Sequence, residues 1–209
     1  MFESREEAAK KLTLKILSKV KDKNALVTAL PRGAVIMGKI IAEYLSLPLD
    51  ILVVKKIGSP FSRELAIGAV AGKNVVFWNK EIIRDLNLTK KELEEFRKNT
   101  ERERSALEKT LRSGRKPSNP KDKTIIIVDD GVATGATVLA ANSYFRKQGA
   151  RKVILATPVI AKETYKNLKK DFDSIIALKK PSEFYAVGQF YRYFPQVTNE
   201  DVVKILKSS

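Results

Sequence analysis

The sequence predicts an α/β fold of the doubly wound type, in which helices cover both faces of a mainly parallel sheet. Short runs of Val, Ile and Leu recur along the chain with little polar alternation, which is typical of strands buried on both faces. Segments with apolar residues three or four apart separate these runs and indicate amphipathic helices. Because the chain has 209 residues, we expect a single domain over 1–209.

The first elements form a strand–helix–strand unit. An amphipathic helix begins at a capping-box pattern, Ser4 and Glu7, in which two side chains satisfy the first free backbone groups. The apolar run at 25–30 predicts a first strand. Helical spacing in "AVIMGKIIAEYL" then leads to a second buried strand at 50–55, so this region is typical of a βαβ unit.

Further apolar runs continue the same pattern. Helical spacing separates the later runs, and the crossovers between parallel strands should be right-handed. The candidate strands lie at 74–78, 124–130, 152–159 and 174–178, with helical patterns at 135–148 and 161–170.

A charged segment at about 79–116 interrupts this alternation. It contains a second capping-box pattern, Thr89 and Glu92, and predicts one long helix over about 90–112. The middle of that helix has no apolar face, which favours a solvated helix inserted in the domain. A lid or a dimer contact is the alternative.

The composition excludes several kinds of chemistry. The chain has no cysteine and no histidine, so disulfides, thiolate nucleophiles, Cys/His zinc sites and imidazole acid–base catalysis are excluded. The net charge of +16 favours an anionic partner, either a polyphosphate metabolite or nucleic acid, although scattered lysines are also typical of a plain solvated surface. Neither a signal peptide nor a membrane span is recognisable, and we expect a cytoplasmic protein.

The most informative segment is 125–137, "IIIVDDGVATGAT". A buried strand that runs through a Gly/Thr loop into a helix is a phosphate-binding geometry, because the free N–H groups of the helix N-terminus point at the anion. Thr134 and Thr137 add hydroxyls, and the loop is neither a Walker A nor a dinucleotide fingerprint. Asp129 and Asp130 suit the hydroxyls of a sugar phosphate, although an Asp-Gly turn alone would explain them too.

This segment resembles the signature of the type I phosphoribosyltransferases that binds 5-phosphoribosyl-1-pyrophosphate (PRPP). Over about 24–200 the chain is similar to a mostly unassigned group that shares "LPRG", "LVVKKIG", "ELAIGAV" and "FYAVG" in this order. The resemblance implies a Rossmann-like sheet of five strands, with the insertion at about 79–116 and a small C-terminal hood at about 180–209. It also implies transfer of a phosphoribosyl group to a nitrogen acceptor such as a nucleobase, with Mg²⁺, in a homodimer.

The resemblance assigns roles to the acidic pair and to the loop that follows it. Asp129 and Asp130 would bind the ribose hydroxyls, directly or through Mg²⁺ and its waters. The loop would hold the 5′-phosphate, and its residues are Val132, Ala133, Thr134, Gly135, Ala136 and Thr137.

The pyrophosphate end has its own candidates. In the family a pyrophosphate loop follows the first strand, where Arg32 can fork onto phosphate oxygens and Gly33 opens a helix N-terminus. A cis peptide bond is expected between Pro31 and Arg32. Lys55 and Lys56 would close the second strand and stabilise the leaving pyrophosphate, and the family pattern favours Lys55 as the one that points inward.

The mobile loop that closes over PRPP in the family corresponds to about 57–70 of this chain. Arg63 could contact a phosphate there. Glu64 is a candidate for removing the proton of the acceptor, unless the acceptor is already anionic; a cap or a salt bridge would also explain this glutamate.

The acceptor end is similar to that of the hypoxanthine–guanine enzymes over 179–194. That similarity makes Tyr185 the ring that stacks on a base and Val187 the contact to its edge. Ala133 and Arg192 stand where those enzymes have acids, so the sequence leaves the acceptor base open. The same aromatic residues would also suit a core or a dimer interface.

Two other functions fit parts of the sequence. The first is a non-catalytic regulatory protein that binds PRPP through the same loop. The second is nucleic-acid binding through the basic segment 97–123, but acids interrupt that segment and aromatic residues are missing from it, so nucleic acid is the less favoured partner.

Overall fold

The computed structural model describes residues 1–62, 65–73 and 75–208. Helices and strands alternate as predicted over most of the chain. In chain order the elements are α1 (Arg5–Leu17), β1 (Ala25–Ala29), α2 (Ala34–Leu45), β2 (Leu49–Ile51), β3 (Val54–Gly58), β4 (Ala66–Ala71), β5 (Val75–Trp78), α3 (Lys80–Asp85), α4 (Lys90–Arg112), β6 (Thr124–Val128), α5 (Ala136–Lys147), β7 (Lys152–Val159), α6 (Lys162–Leu168), β8 (Ser174–Lys179) and α7 (Asn199–Lys207), with a short 3₁₀ turn at Val187–Phe190 before α7.

The main sheet has five parallel strands in the order β2-β1-β6-β7-β8, which confirms the predicted doubly wound fold. Neighbouring residues of a strand enter different cores, because side chains alternate across a sheet. In β6, Ile126 packs with the α1 and α2 side, whereas Ile125 and Ile127 pack with the α5 side. Both faces therefore need apolar residues, which explains the unbroken Val/Ile runs.

Two of the predicted strands, at 50–55 and 74–78, are placed differently in the structure. The run at 50–55 is divided between β2, which ends at Ile51, and β3, which begins at Val54. The run at 74–78 supplies β5 of a separate antiparallel sheet, β3-β4-β5. Buried Leu52 and Val53 join the two sheets, so the apolar run continues through the boundary and conceals it.

Part of the predicted mobile loop is also a strand. The residues Ala66–Ala71 form β4, which pairs with β3 on one side and β5 on the other. Ala69 and Ala71 are buried against the α5 side, whereas Ile67 and Val70 pack with the helices of the insertion. Between β3 and β4, the described residues 59–62 and 65 belong to no helix or strand, and the predicted site residues Arg63 and Glu64 lie outside the described residues.

The insertion contains the long helix that its capping box predicted. Thr89 accepts a hydrogen bond from the Glu92 N–H at 3.3 Å, and the Glu92 carboxylate accepts one from the Thr89 N–H at 2.8 Å. The helix α4 is not solvated on all sides, because the side chains of Arg104 and Arg112 are buried. Arg112 donates to Asp50 Oδ1 at 2.8 Å and fastens the insertion to the main sheet.

The hood closes against both the core and the N-terminus. Its helix α7 packs against α2 and α4, and its preceding segment pairs with the start of the chain. The Phe2 N–H donates to Phe190 O at 2.7 Å, and the Arg192 N–H donates to Phe2 O at 2.8 Å. Among the described residues, no helix has the length and apolar character that crossing a bilayer requires.

Candidate active site

The candidate site lies where the strand order of the main sheet reverses, between β1 and β6. The chain proceeds from β1 to β2 on one side of the sheet and from β6 to β7 on the other, and β1 and β6 are neighbours. The loops that leave these two strands therefore diverge and open a crevice at their carboxyl ends, the usual ligand site of open α/β sheets. The first loop is Pro31–Gly33, and the second runs from Asp129 to Gly135.

The predicted phosphate loop, residues 132–137, comprises the end of the second loop and the first residues of α5, and neighbouring segments contact it. Gly135 has a φ of 84° at the N-terminus of α5, a conformation that favours glycine. Val132 pairs with Ile160 after β7, and the Thr164 hydroxyl donates to Ala133 O. Since the first N–H groups of α5 have no carbonyl partner within the helix, the loop can present amides to an anion.

A small cavity of about 90 Å³ is lined by this loop and by Asp129, whereas Asp130 is not part of its lining. The lining combines anion-binding backbone, one carboxylate and one cation, together with a residue from the hood. It is formed by Lys56, Asp129, Gly131, Val132, Ala133, Thr134, Gly135, Thr137, Val138 and Val187. Of the predicted phosphate-loop residues, only Ala136 is outside this lining, and it borders the larger cleft described below.

The two acids have different surroundings. Burial raises the pKa of Asp129 well above that of an ordinary aspartate, and the charge of Asp130 raises this pKa further, while Lys56 opposes the rise. Burial also raises the pKa of Asp130, but Arg5 opposes the rise. Among the described residues, Asp130 has an ion-pair partner within 4.0 Å, whereas Asp129 has none.

That partner, Arg5, was not among the residues predicted for the site. Its Nε donates to Asp130 Oδ2 at 2.9 Å. Tyr191 is a second such residue, because its hydroxyl donates to the backbone oxygen of Asp130 at 2.6 Å. No local pattern marks either residue: Arg5 is simply the first residue of α1, and Tyr191 belongs to an aromatic cluster.

The first loop lies against the same acid. A Cβ added at Gly33 would overlap Asp130 Oδ2 and lie 2.7 Å from Arg5 Nη2, so glycine is required by the close approach. The peptide bond between Pro31 and Arg32 is cis, which confirms the expectation from the family resemblance. Arg32 itself is exposed.

The expected orientation of the two lysines is reversed. Strand β3 pairs Lys56 with Ala69 and Lys55 with Val70, and paired residues point to the same face of a sheet. Lys56 thus faces the α5 side and lines the small cavity. Lys55 faces the insertion, where it forms an ion pair with Glu103, and its predicted inward position is wrong.

The predicted acceptor contacts differ in their placement. Val187 lies directly against Gly131, since a Cβ added at that glycine would lie 2.9 Å from Val187 Cγ2. Tyr185 is 84% exposed and is not among the residues that line the small cavity.

A larger cleft of about 610 Å³ shares two lining residues, Lys56 and Thr134, with the small cavity. Phe77, Trp78 and Lys170 are among the other residues that line it. Within the described part of the chain, no group of three or more Asp, Glu, His or Cys side chains could hold a metal ion.

Comparison with known proteins supports the inference from the motif. The family model of the phosphoribosyl transferase domain matches residues 2–194. Two curated relatives, from two strains of Mycobacterium tuberculosis, are provisionally named as phosphoribosyl transferases. Each is 36% identical over 214 residues, which cover 99% of this chain and 46% of the relative. The chain therefore spans about half the length of these relatives.

Solved structures agree with the fold. The protein TT1426 from Thermus thermophilus is 32% identical, with a TM-score of 0.85, and the match covers 99% of this chain and 98% of the other. A purine phosphoribosyltransferase from Pyrococcus horikoshii has a TM-score of 0.51 at 16% identity, over 93% and 92% of the two chains. At that identity the likeness concerns the fold alone.

Proposed function

This chain belongs to the phosphoribosyl transferase domain family, and on this basis we propose that it transfers the 5-phosphoribosyl group of PRPP to a nitrogen acceptor and releases pyrophosphate. The observation that carries the proposal is the small cavity, where a carboxylate, a lysine and a glycine-containing helix N-terminus meet. This set matches the chemistry of a sugar phosphate, because amides bind the phosphate and carboxylates accept from hydroxyls.

The donor is proposed to lie along the cavity with its 5′-phosphate on residues 132–137. The carboxylates of Asp129 and Asp130 then accept hydrogen bonds from the ribose hydroxyls. Arg32 and Lys56 are proposed to contact the pyrophosphate. As the bond between C1 and the pyrophosphate oxygen breaks and the bond to the acceptor nitrogen forms, negative charge grows on the leaving group, and the two cations stabilise it.

Mg²⁺ is proposed to accompany the donor. The residues present fit such an ion, because Asp129 offers carboxylate oxygens at the small cavity and a hard cation accepts waters and phosphate oxygens for its other ligands. When bound, Mg²⁺ neutralises phosphate charge. Asp129 would orient the ion or its waters, and Asp130 would remain tied to Arg5.

The acceptor is proposed to be a nucleobase or a similar planar nitrogen heterocycle. Val187 lies beside Gly131 at the small cavity, where it can contact the edge of a ring. Tyr185 and Arg63 keep their predicted roles as a stacking ring and a phosphate contact, respectively. The chain has no histidine to act as a general base. We propose that the acceptor either binds as an anion or transfers its proton to Glu64.

The test is to incubate the protein with PRPP, Mg²⁺ and a panel of purine and pyrimidine bases, and to follow pyrophosphate release together with the mass of the nucleotide product. Release with at least one base supports the proposal. Tight PRPP binding without release for any base would instead favour the regulatory, non-catalytic function.

A matched pair of variants tests the assignment of the acids. Asp129→Asn with Asp130→Asn should weaken PRPP binding measured by calorimetry by at least tenfold, about the factor of one charged hydrogen bond. Asp85→Asn removes an exposed carboxylate on α3 and should leave the dissociation constant unchanged. Equal affinity in all three proteins would refute the assignment. A homodimer is also proposed, and sedimentation equilibrium would test it.

A further inference from the structure

The N-terminal helix reaches the candidate site through one side chain, Arg5. This residue is 6% exposed, although it opens a surface helix. Its Nε donates to Asp130 Oδ2 at 2.9 Å, and its Nη1 donates to Pro195 O at 2.8 Å. The guanidinium carbon lies 3.6 Å from the ring centroid of Phe194, so the planar group is held by a carboxylate, a carbonyl and an aromatic face together.

The hood holds the same aspartate from its backbone side. Tyr191 donates its hydroxyl to Asp130 O at 2.6 Å, and its ring stacks on Phe194 at 4.8 Å between centroids. Phe2 packs on Tyr191 at 5.5 Å. The aromatic cluster therefore connects the two contacts of Asp130, one to the carboxylate through Arg5 and one to the carbonyl.

Gly33 closes the Oδ2 side of the carboxylate. Because an added Cβ there would overlap Asp130 Oδ2, the acid is confined between Arg5 and the backbone of the first loop. Arg5 binds Oδ2, and a carboxylate has acceptor capacity on both oxygens. The ion pair with Arg5 therefore does not use Oδ1.

We propose that Arg5 is a positioning residue, which fixes the carboxylate of Asp130 so that Oδ1 accepts from a ribose hydroxyl of PRPP. Docking of α1 and of the hood then sets the affinity for the donor, although neither segment carries the phosphate loop. This inference rests on the proposed function. The competing explanation is that Arg5 only fastens the N-terminus to the hood and affects stability alone.

A double-mutant cycle separates the two explanations. Arg5→Gln should raise the dissociation constant of PRPP and Mg²⁺, measured by calorimetry, by about tenfold or more. Asp130→Asn should do the same, and the double variant should bind little worse than Asp130→Asn, since residues that act through one contact are not additive. If Arg5→Gln has the same factor in both backgrounds, the positioning role is refuted.

Arg192→Gln is the matched control. Arg192 pairs with Glu3 at 3.2 Å and thereby joins the same two segments, but the side chains are 73% and 63% exposed. This variant should bind PRPP as the wild type does. A loss as large as that of Arg5→Gln would mean that general loosening of the junction explains both.

Arg5→Lys keeps the inference testable if Arg5→Gln does not fold. Lysine preserves the charge but lacks the fork that contacts Asp130 and Pro195 together, so we expect a several-fold rise of the dissociation constant. Wild-type affinity in Arg5→Lys would overturn the inference. Failure of the wild type itself to bind PRPP would refute the proposed function, which is a different outcome from binding that is insensitive to Arg5.

Discussion

Replacing Gly33 with alanine should displace the Arg5–Asp130 pair and thereby change both the binding of PRPP and the stability of the fold. Gly33 has φ −57° and ψ −39°, so the backbone accepts alanine, and such substitutions stabilise by about 0.4–1 kcal/mol through the unfolded chain. The added Cβ would nevertheless overlap Asp130 Oδ2 and lie 2.7 Å from Arg5 Nη2, where Cβ contacts under 3.0 Å essentially do not occur. The Arg5–Asp130 pair must move.

The size of each effect follows from these contacts. Losing a hydrogen bond between charged groups costs about 1.5–3 kcal/mol. Set against the gain of about 0.4–1 kcal/mol from alanine, this predicts a fall of about 1–2 kcal/mol in the free energy of unfolding. For PRPP we expect binding weaker by about ten- to a hundredfold, because Asp130 no longer has its orientation toward the donor.

Urea unfolding and calorimetric titration with PRPP and Mg²⁺ measure the two quantities on the same preparation. Gly114→Ala is a suitable control, since Gly114 follows α4 with a φ of 89° and no heavy atom lies within 4 Å of an added Cβ; this variant should lose stability through backbone strain and keep the wild-type affinity for PRPP. A Gly33→Ala variant with wild-type affinity would refute the close-packed arrangement of Gly33, Arg5 and Asp130.

Three further perturbations test the lysines, the insertion and a carboxylate near β6. Lys56→Ala should lower the rate of pyrophosphate release by at least tenfold, because Lys56 lines the small cavity and stabilises the leaving group. Lys55→Ala should change this rate little, because Lys55 pairs with Glu103 of the insertion. Arg112→Met should lower the free energy of unfolding in urea by about 3–5 kcal/mol, because a buried aspartate loses its partner; Arg84→Gln, which alters an exposed pair, should have almost no effect. Asp22 accepts a hydrogen bond from the Thr124 hydroxyl, which lowers the pKa of Asp22. The stabilisation by Asp22 is therefore fully present above the ordinary aspartate pKa of about 3.8 and is lost as the pH falls through the lowered pKa. The difference in stability between the wild type and Asp22→Asn, measured by urea unfolding across this range, should vanish at the acid end.

Each of these expectations can fail separately. Equal rates for the two lysine variants would contradict the register of β3 against β4. A small effect of Arg112→Met would mean that water reaches its aspartate partner in the folded state. A stability difference at Asp22 that is the same at every pH would assign the effect to packing and not to charge.

The local features of this chain were predictable because their determinants are close in sequence. The capping box of α4 depends on Thr89 and Glu92, three residues apart. The strand, loop and helix around Asp129 follow one another directly, so hydrophobic runs and turn residues identify them. The cis bond before Arg32 came from the resemblance to the family, since no local rule predicts a cis bond at a non-proline residue.

Other features depend on partners that the local pattern does not reveal. Residues 51–54 are all apolar, so nothing in them shows where the main sheet ends and the antiparallel sheet begins. The choice between Lys55 and Lys56 depends on the register of β3 against β4. A shift of one residue would exchange the two faces.

The order of amino acids was enough to predict a doubly wound sheet with a phosphate loop after one central strand, because hydrophobic periodicity and loop chemistry act over a few neighbouring residues. Which charges meet at that loop depends instead on how distant segments pack. Arg5 and Asp130 are 125 residues apart along the chain, and a charged side chain has no pattern that identifies a distant partner. Packing of α1 and the hood on the sheet brings them together, and the exclusion of water from that junction makes their contact strong.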